Sequence, residues 1–395
     1  PADVACPYMG LAAFEAEDAA YFFGREELVA ELTARLAGTR FLAVVGPSGS
    51  GKSSLVRAGL LPAVWGGVLP GSADWQTLVI TPGAHPLEEL AVRVSLLRGI
   101  APSSLHEALK TDPQALDLAV KQALVDEPDD VQLLLVVDQF EEVFALCRDE
   151  GERRCFIDAL MYAVGAEEGR TVVVLTIRAD FYGRCADYPL LATKLQDNLL
   201  VGPLGVEALR QAIERPAERV GLRLEPGLAD LIMGDVAGEP GALPLMSHAL
   251  METWGRRRGR MLALSGYTES GGVSGAIAQT ADTVYRGLPP QEQAIVRSIF
   301  LRLTELGEEG TQDTRRRVSP RELVRTPEEG PAVEEVLKTL ADARLVTTGG
   351  GTDPSRSEGT VEVAHEALIR ESVSYTHLTL PTTIKPCRSR WSPYH

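Results

Sequence analysis

The chain has 395 residues, 45% hydrophobic and 24% charged, which is a globular composition. At roughly 100–200 residues per domain it holds two or three domains, each large enough to bury a core. Asp and Glu number 55 against 39 Lys and Arg, a formal charge of −16, which counts against a general nucleic-acid coat or a polybasic membrane binder. The five cysteines are scattered, with no C-x-x-C pair and no His at ligand spacing. That argues against a disulfide framework or a structural zinc site and for a reducing, cytoplasmic compartment. The longest apolar runs, such as Leu133–Val137 and 171–177, are too short to span a bilayer, and no signal peptide is visible. The chain starts at Pro1 rather than Met, so it is expected to be a fragment.

Residues 1–25 form a short, mixed linker. Leu28, Leu32 and Leu36 then fall at helical spacing and predict an amphipathic helix over Glu26–Leu36. The apolar run 41–45 feeds a Gly-rich turn, and a helical segment, 53–60, follows it. Apolar runs at 78–80, 133–137 and 171–177 alternate with longer helical patterns. Continuous apolar strands separated by helices predict an α/β domain over 26–203, a parallel sheet with helices on both faces. Residues 204–287 read as a helical domain with breaks at 238–244 and 271–275. From 288 to 371 the pattern changes again. Ile295, Ile299, Phe300, Leu303 and Leu306 lie on one helical stripe over 290–306. Ser319-Pro320-Arg321-Glu322 is a capping box opening a second helix, and 333–343 is a third. A hairpin of 345–348 with 361–364 follows, so this region reads as a winged-helix domain. Residues 372–395 contain no acid, are rich in Ser and Thr, and resemble a translated sequencing adapter. They read as a non-native or disordered tail.

Gly46-Pro47-Ser48-Gly49-Ser50-Gly51-Lys52-Ser53 fits G-x-x-x-x-G-K-[ST], after a strand and before a helix, with Ser54 continuing the loop into that helix. Its glycines let backbone N–H groups curl around phosphates at the positive end of the following helix. Lys52 would reach the β- and γ-phosphates, and the Ser53 hydroxyl would join a Mg²⁺ shell. The strand 133–137 ends in Asp138, a metal-side acid, and Glu141 or Glu142 just beyond could polarise an attacking water. The strand 171–177 runs into Arg178 on the ligand side of the sheet. Arg178 could sense a γ-phosphate, or pair with Asp180 or another surface acid.

These motifs, with Cys6-Pro7-Tyr8, Phe22-Phe23-Gly24-Arg25-Glu26, Val137-Asp138-Gln139-Phe140-Glu141-Glu142 and Thr176-Ile177-Arg178, resemble the STAND class of signal-transduction NTPases, and within it novel STAND NTPase 1. The resemblance spans about residues 6–371. It implies ATP/ADP and Mg²⁺ as ligands. It also implies that Phe23, Gly24 and Arg25 lie near the adenine. Pro244 of Gly241-Ala242-Leu243-Pro244 would close the base pocket. His365 would contact ADP phosphates, in a variant of the M-H-D motif with Ala364 and Glu366 in place of Met and Asp. The residues alone also fit His365 as a helix cap or core packer. Members of this class carry an effector domain upstream and sensor repeats, often WD repeats, downstream.

The first functional expectation is an ATP/ADP switch with slow hydrolysis, closed with ADP and open with ATP, that self-associates on activation. An AAA-type motor is the alternative, but Gln139 stands where such motors usually place Glu. An ABC-type transport ATPase is rejected, because Leu264-Ser265-Gly266 follows the Asp strand and continues Tyr-Thr. A nucleotide-gated winged-helix DNA regulator needs a basic recognition helix, whereas 333–343 has one Lys and three acids. The Arg315–Arg317 and Arg256–Arg258 runs read as solvated charge. Nothing resembles an N-K-x-D guanine motif.

Overall fold

In the computed structural model the described residues are 4–97, 100–237, 241–305, 314–316, 318–325, 329–343, 345–349, 360–364 and 368. The chain divides into two compact units, residues 1–266 and 267–395.

The first unit is built on a five-stranded parallel sheet of β1 (Phe41–Gly46), β2 (Gln76–Ile80), β3 (Leu133–Val137), β4 (Thr171–Arg178) and β5 (Asn198–Leu200), in the order β2-β3-β4-β1-β5. Every residue of β1 and β3 is buried, as continuous Val/Leu runs require when helices cover both faces. The side chains still alternate. Phe41, Ala43, Val45, Leu133, Leu135, Val137, Val173 and Leu175 join one core cluster, with apolar residues of the helices Pro86–Ser95, Pro102–Leu109, Ala115–Ala123 and Glu150–Gly165. Leu42, Val44, Leu134, Val136, Val172 and Val174 face the other cluster, with Leu32 and Leu36 of α1 (Glu26–Leu36) and Leu55, Val56, Leu60 and Leu61 behind the glycine-rich loop. Each fully buried Leu or Val in these layers stabilises the fold by about 1.5–3 kcal/mol. Helix α1 has the expected bounds, with Glu26 and Glu27 in its first turn and Arg35 in its last, complementing the helix dipole.

Two details depart from the sequence reading of this unit. Strand β5 has only three residues and is not signalled by periodicity; it exists because Ala43, Val44 and Val45 offer it a free edge of β1. The expected break at 238–244 is narrower, since Ala242–Gly255 is one helix with Pro244 in its first turn. There the amide has no intrahelical acceptor, so a proline loses no bond.

The second unit begins with helices Gly272–Gly287 and Pro290–Leu303, so Gly275 lies inside a helix rather than in a break. The helix expected over 290–306 stops at Leu303, because Thr304 turns extended (φ −110°, ψ 130°) and pairs with Arg315. Leu306 lies outside the described residues. The capping box of Ser319 and Glu322 forms, on a helix of only four residues, Pro320–Leu323. Helix Gly330–Asp342 follows, then an antiparallel pair, Val346–Gly349 with Thr360–Val363. Ile299, Leu303, Val336, Leu340 and Val363 are among its fully buried apolar residues. Residues 369–395, including the expected tail, lie outside the described residues. Among the described residues no helix is long and apolar enough to cross a membrane, and Cys6, Cys147, Cys155 and Cys185 are not in disulfides.

Candidate functional site

The carboxyl ends of β1, β3 and β4 converge on the Gly46–Ser53 loop. Strand β1 delivers Gly46 beside Arg178 of β4. A side chain at Gly46 would meet Ser50 Oγ and the Val201 carbonyl, each 2.8 Å from its Cβ, so the loop can fold back only over glycine. Gly49 and Gly51 take left-handed φ values of 71° and 89°. The helix then starts at Lys52–Ser54, passes through a π-helical stretch, Leu55–Leu60, and ends as Leu61–Trp65. The π stretch has a local cause: Pro62 cannot donate, and the Leu61 N–H reaches back five residues to the Val56 carbonyl.

Lys52 is buried, and its Nζ donates to the carbonyls of Gly46 at 3.0 Å and Pro47 at 2.8 Å. Burial lowers its pKa from the ordinary ammonium value; Arg178 adds to this, while Glu141, Asp138 and Asp180 oppose it. Ser50 is 8% exposed and its hydroxyl has no hydrogen-bond partner. An unpaired buried hydroxyl costs about 1–3 kcal/mol, which a bound acceptor would recover.

Asp138 follows β3 and is 1% exposed. Its Oδ1 accepts from Thr176 Oγ1 at 2.6 Å, Ser53 Oγ at 2.9 Å and the Gln139 N–H at 3.1 Å. Its Oδ2 accepts from Arg57 Nε at 3.0 Å and pairs with Nη2 at 2.9 Å. The network holds Gln139 in the left-handed region (φ 56°), with its N–H also 2.9 Å from Thr176 Oγ1. Such a conformation costs on the order of 1 kcal/mol outside glycine and persists when neighbours over-determine it.

The two candidate water-polarising acids separate. Glu142 is buried and its Oε2 accepts the Gly83 N–H at 3.0 Å, a loop-bracing contact. Glu141 accepts the Arg178 N–H at 3.2 Å and lies in the field of Lys52; burial is the main cause that pushes its pKa up. The Arg178 guanidinium pairs with Asp180 through Nε (3.1 Å) and Nη2 (2.8 Å) and lies over the Phe181 ring. Asp180 is thus the surface acid with which Arg178 pairs, while its backbone stays beside the phosphate loop.

On the other side, Arg25 Nη2 donates to the carbonyls of Ser50 at 3.1 Å and Gly202 at 2.8 Å, bracing the loop against the end of β5. Gly24 (φ 84°) lies directly against the Ala208 backbone of helix Val206–Arg219, too close for any side chain. Phe23 is half-buried. The helical segment also touches the loop: a Cβ on Gly49 would stand 2.9 Å from the Gly241 carbonyl, and one on Gly241 would stand 3.1 Å from the Ser48 carbonyl. Pro244 is half-buried three residues beyond. His365 and Glu366 lie outside the described residues.

Thr176, Arg57, Glu15 and Gly241 were not singled out as site residues from the sequence. A signal existed for Arg57, four residues after Ser53 and so on the same helical face. None existed for Glu15, which reaches Arg57 across 42 positions of chain.

The donor set fits a nucleotide with a hard cation. The loop offers helix-start amides, a lysine and an unpartnered hydroxyl, and Ser53 with Asp138 offers one hydroxyl and one carboxylate. Among the described residues no group of three or more His, Cys, Asp or Glu could hold a metal ion. A divalent ion here would therefore use Ser53, Asp138, water and phosphate oxygens, the pattern of Mg²⁺ rather than of an all-protein cage.

Parallel sheet, phosphate loop and strand-end Asp together define a P-loop ATPase of the α/β class. The chain matches the family Novel STAND NTPase 1 over residues 7–372, and it belongs to that family. It is 28% identical over 156 residues to the hemin import ATP-binding protein HmuV of Rhodopseudomonas palustris (strain BisA53), covering 40% of this chain and 46% of that protein. Among solved structures, the Aeropyrum pernix ORC2 protein in its ADPNP–ADP complexes superposes with a TM-score of 0.52 at 16% identity, over 90% of this chain and 93% of that one. The Aeropyrum pernix ORC1 protein in complex with DNA gives 0.47 at 17% identity, over 91% and 95%.

Proposed function

We propose that the chain is the nucleotide-operated core of a signalling switch, closed around ADP and opened when ATP replaces it, with slow hydrolysis as a timer. The observation that carries this reading is the backbone contact of Gly241 with Gly49 and Ser48, through which the helical segment rests on the phosphate loop itself. A ligand that reshapes the loop must then push on that segment, which is the differential contact a switch requires. In this reading the loop amides and Lys52 hold the phosphates, and Ser53 and Asp138 hold Mg²⁺, which neutralises phosphate charge when bound. Glu141 orients the water, with Glu142 bracing the loop behind it. Arg178 leaves Asp180 to meet the γ-phosphate. Phe23 and Pro244 flank the base, while Gly24 and Arg25 fix the wall on which it lies.

From Pro290 onward, the order of three helices (Pro290–Leu303, Pro320–Leu323 and Gly330–Asp342) followed by an antiparallel strand pair supports a winged helix, and His365 after that pair is proposed as the ADP sensor. Effector and sensor domains would lie on the full-length protein, which we propose to be cytoplasmic and to self-associate when opened. Nucleic acid is not the proposed partner: helix Gly330–Asp342 exposes Glu334 and Glu335 beside Lys338, on a chain of charge −16. Gln139, whose N–H is tied to Asp138 and Thr176, takes the place of a motor's catalytic Glu and counts against fast turnover.

The test is to purify the chain without added nucleotide, denature it and chromatograph what is released. Near-stoichiometric ADP is the expected result. An empty site with fast steady-state ATP turnover would replace the switch with the motor.

A further inference from the structure

Resting on the assignment of Asp138 to the metal side, we propose that Arg57 is a resident cation of that carboxylate. It competes with the divalent ion for Oδ2, and Glu15 draws it away, so that the N-terminal segment sets the metal affinity of the site.

The division of the carboxylate carries the argument. Oδ1 already accepts three hydrogen bonds, from Thr176, Ser53 and Gln139, so Oδ2 is the oxygen left for water around a metal at Ser53. That oxygen is taken by two nitrogens of Arg57. A carboxylate 1% exposed needs a counter-charge, and Arg57 supplies it. Ser53 and Arg57 stand one helical turn apart, so one helix brings both the metal-binding hydroxyl and the competing cation to the same acid. A divalent ion arriving beside Ser53 would face the guanidinium at close range, and repulsion between them is strong in so buried a place.

Arg57 has somewhere to go. Its Nη1 already donates to Glu15 Oε1 at 2.6 Å, and the Glu15 side chain is 50% exposed. The same segment grips the helix a second time, where the Phe14 N–H donates to Ser54 Oγ at 3.1 Å. It is tied to helix Val206–Arg219 as well, through the Tyr8 hydroxyl and the Ile213 carbonyl at 2.8 Å. Whatever reseats residues 8–25 therefore shifts Arg57 between its two acids. The segment joins the helix that rests behind Gly24 to the carboxylate that receives the metal.

The experiment uses the full chain and a fluorescent ADP analogue, titrated with Mg²⁺ from a chelator-containing buffer. The readout is the Mg²⁺ concentration giving half of its effect on ADP affinity. Arg57→Gln should lower that midpoint by about tenfold, the size expected on removing a like charge within a few ångströms. Glu15→Gln should raise it by about threefold, because Arg57 then rests on Asp138 alone. A bracing role for Arg57 would move both variants in the same direction, and that result, or two unmoved midpoints, overturns the proposal. Should Arg57→Gln fail to fold, Arg57→Lys with Glu15→Gln decides: the Lys variant, with a single donor group, should shift the midpoint downward by a smaller factor, and opposite signs again support competition. If wild-type protein binds no ADP at any Mg²⁺ concentration, the nucleotide site itself is wrong; if it binds and only the variants fail to separate, the error lies with Arg57.

Discussion

The middle of the parallel sheet and its carboxyl edge are a few residues apart and obey opposite rules. In the middle, every side chain of β3 is buried Leu or Val, packed on both faces. At the edge, Lys52, Asp138, Glu142 and Thr176 are also buried but polar, held by one another and by backbone groups, and Ser50 is buried beside them. The middle supplies stability; the edge consumes part of it in desolvated charge, an unpaired hydroxyl and the left-handed Gln139. A site that is costly without a ligand is one in which ligand binding has most to recover.

That contrast can be broken by substitution. Leu135→Ala, at a fully buried position of β3 between β2 and β4, should cost about 4 kcal/mol in urea unfolding. The nucleotide affinity of the folded fraction should stay unchanged. Lys52→Ala should do the reverse: at least about a hundredfold loss in a fluorescent-nucleotide titration, a charge-assisted contact of about 2.7 kcal/mol, with no fall in the thermal midpoint of the free protein. If the free protein is destabilised as much as by Leu135→Ala, the edge is a structural element like the middle.

Gly49→Ala places a Cβ 2.9 Å from the Gly241 carbonyl on left-handed backbone. It should cost about 1 kcal/mol and weaken nucleotide binding roughly tenfold. It should also raise protease sensitivity near residue 241; unchanged cleavage there would detach the helical segment from the loop.

Glu141→Gln is the smallest effect and carries a sign. Burial raises the pKa of Glu141, so the folded chain holds its proton more tightly than the unfolded chain. Its favourable contribution is complete in acid, below the unfolded value, and is lost as pH rises through the raised one. The Gln variant should therefore melt about 2 °C above wild type near neutral pH, with the gap closing in acid. A gap that widens in acid would mean that Glu141 is stabilised in its charged form.

Much of the sheet was legible because its signals are local. Leu133–Val137 and Glu26–Leu36 have the bounds that hydrophobic spacing gives, and the loop between strand and helix follows from its glycines. Strand β5 was not, since three residues carry no period and the pairing partner is 155 positions away in the chain. The end of helix Pro290–Leu303 was misplaced because Thr304 is recruited by Arg315, a partner that helical periodicity does not register.

The same division runs through the site. Sequence alone determined which chemical groups arrive at the carboxyl ends of the strands: the glycine-rich loop with Lys52 and Ser53, the acid after β3 and the arginine after β4. These are fixed by position relative to a strand end, and a strand end is a local property. Only the tertiary structure decided what each group touches. It sent Glu142 to Gly83 and left Glu141 facing Lys52, paired Arg178 with Asp180, brought Gly241 onto Gly49, and set Arg57 between the second oxygen of Asp138 and Glu15. Hydrogen bonds and ion pairs act over about 3 Å, and which groups come that close depends on how distant segments pack rather than on their order in the chain.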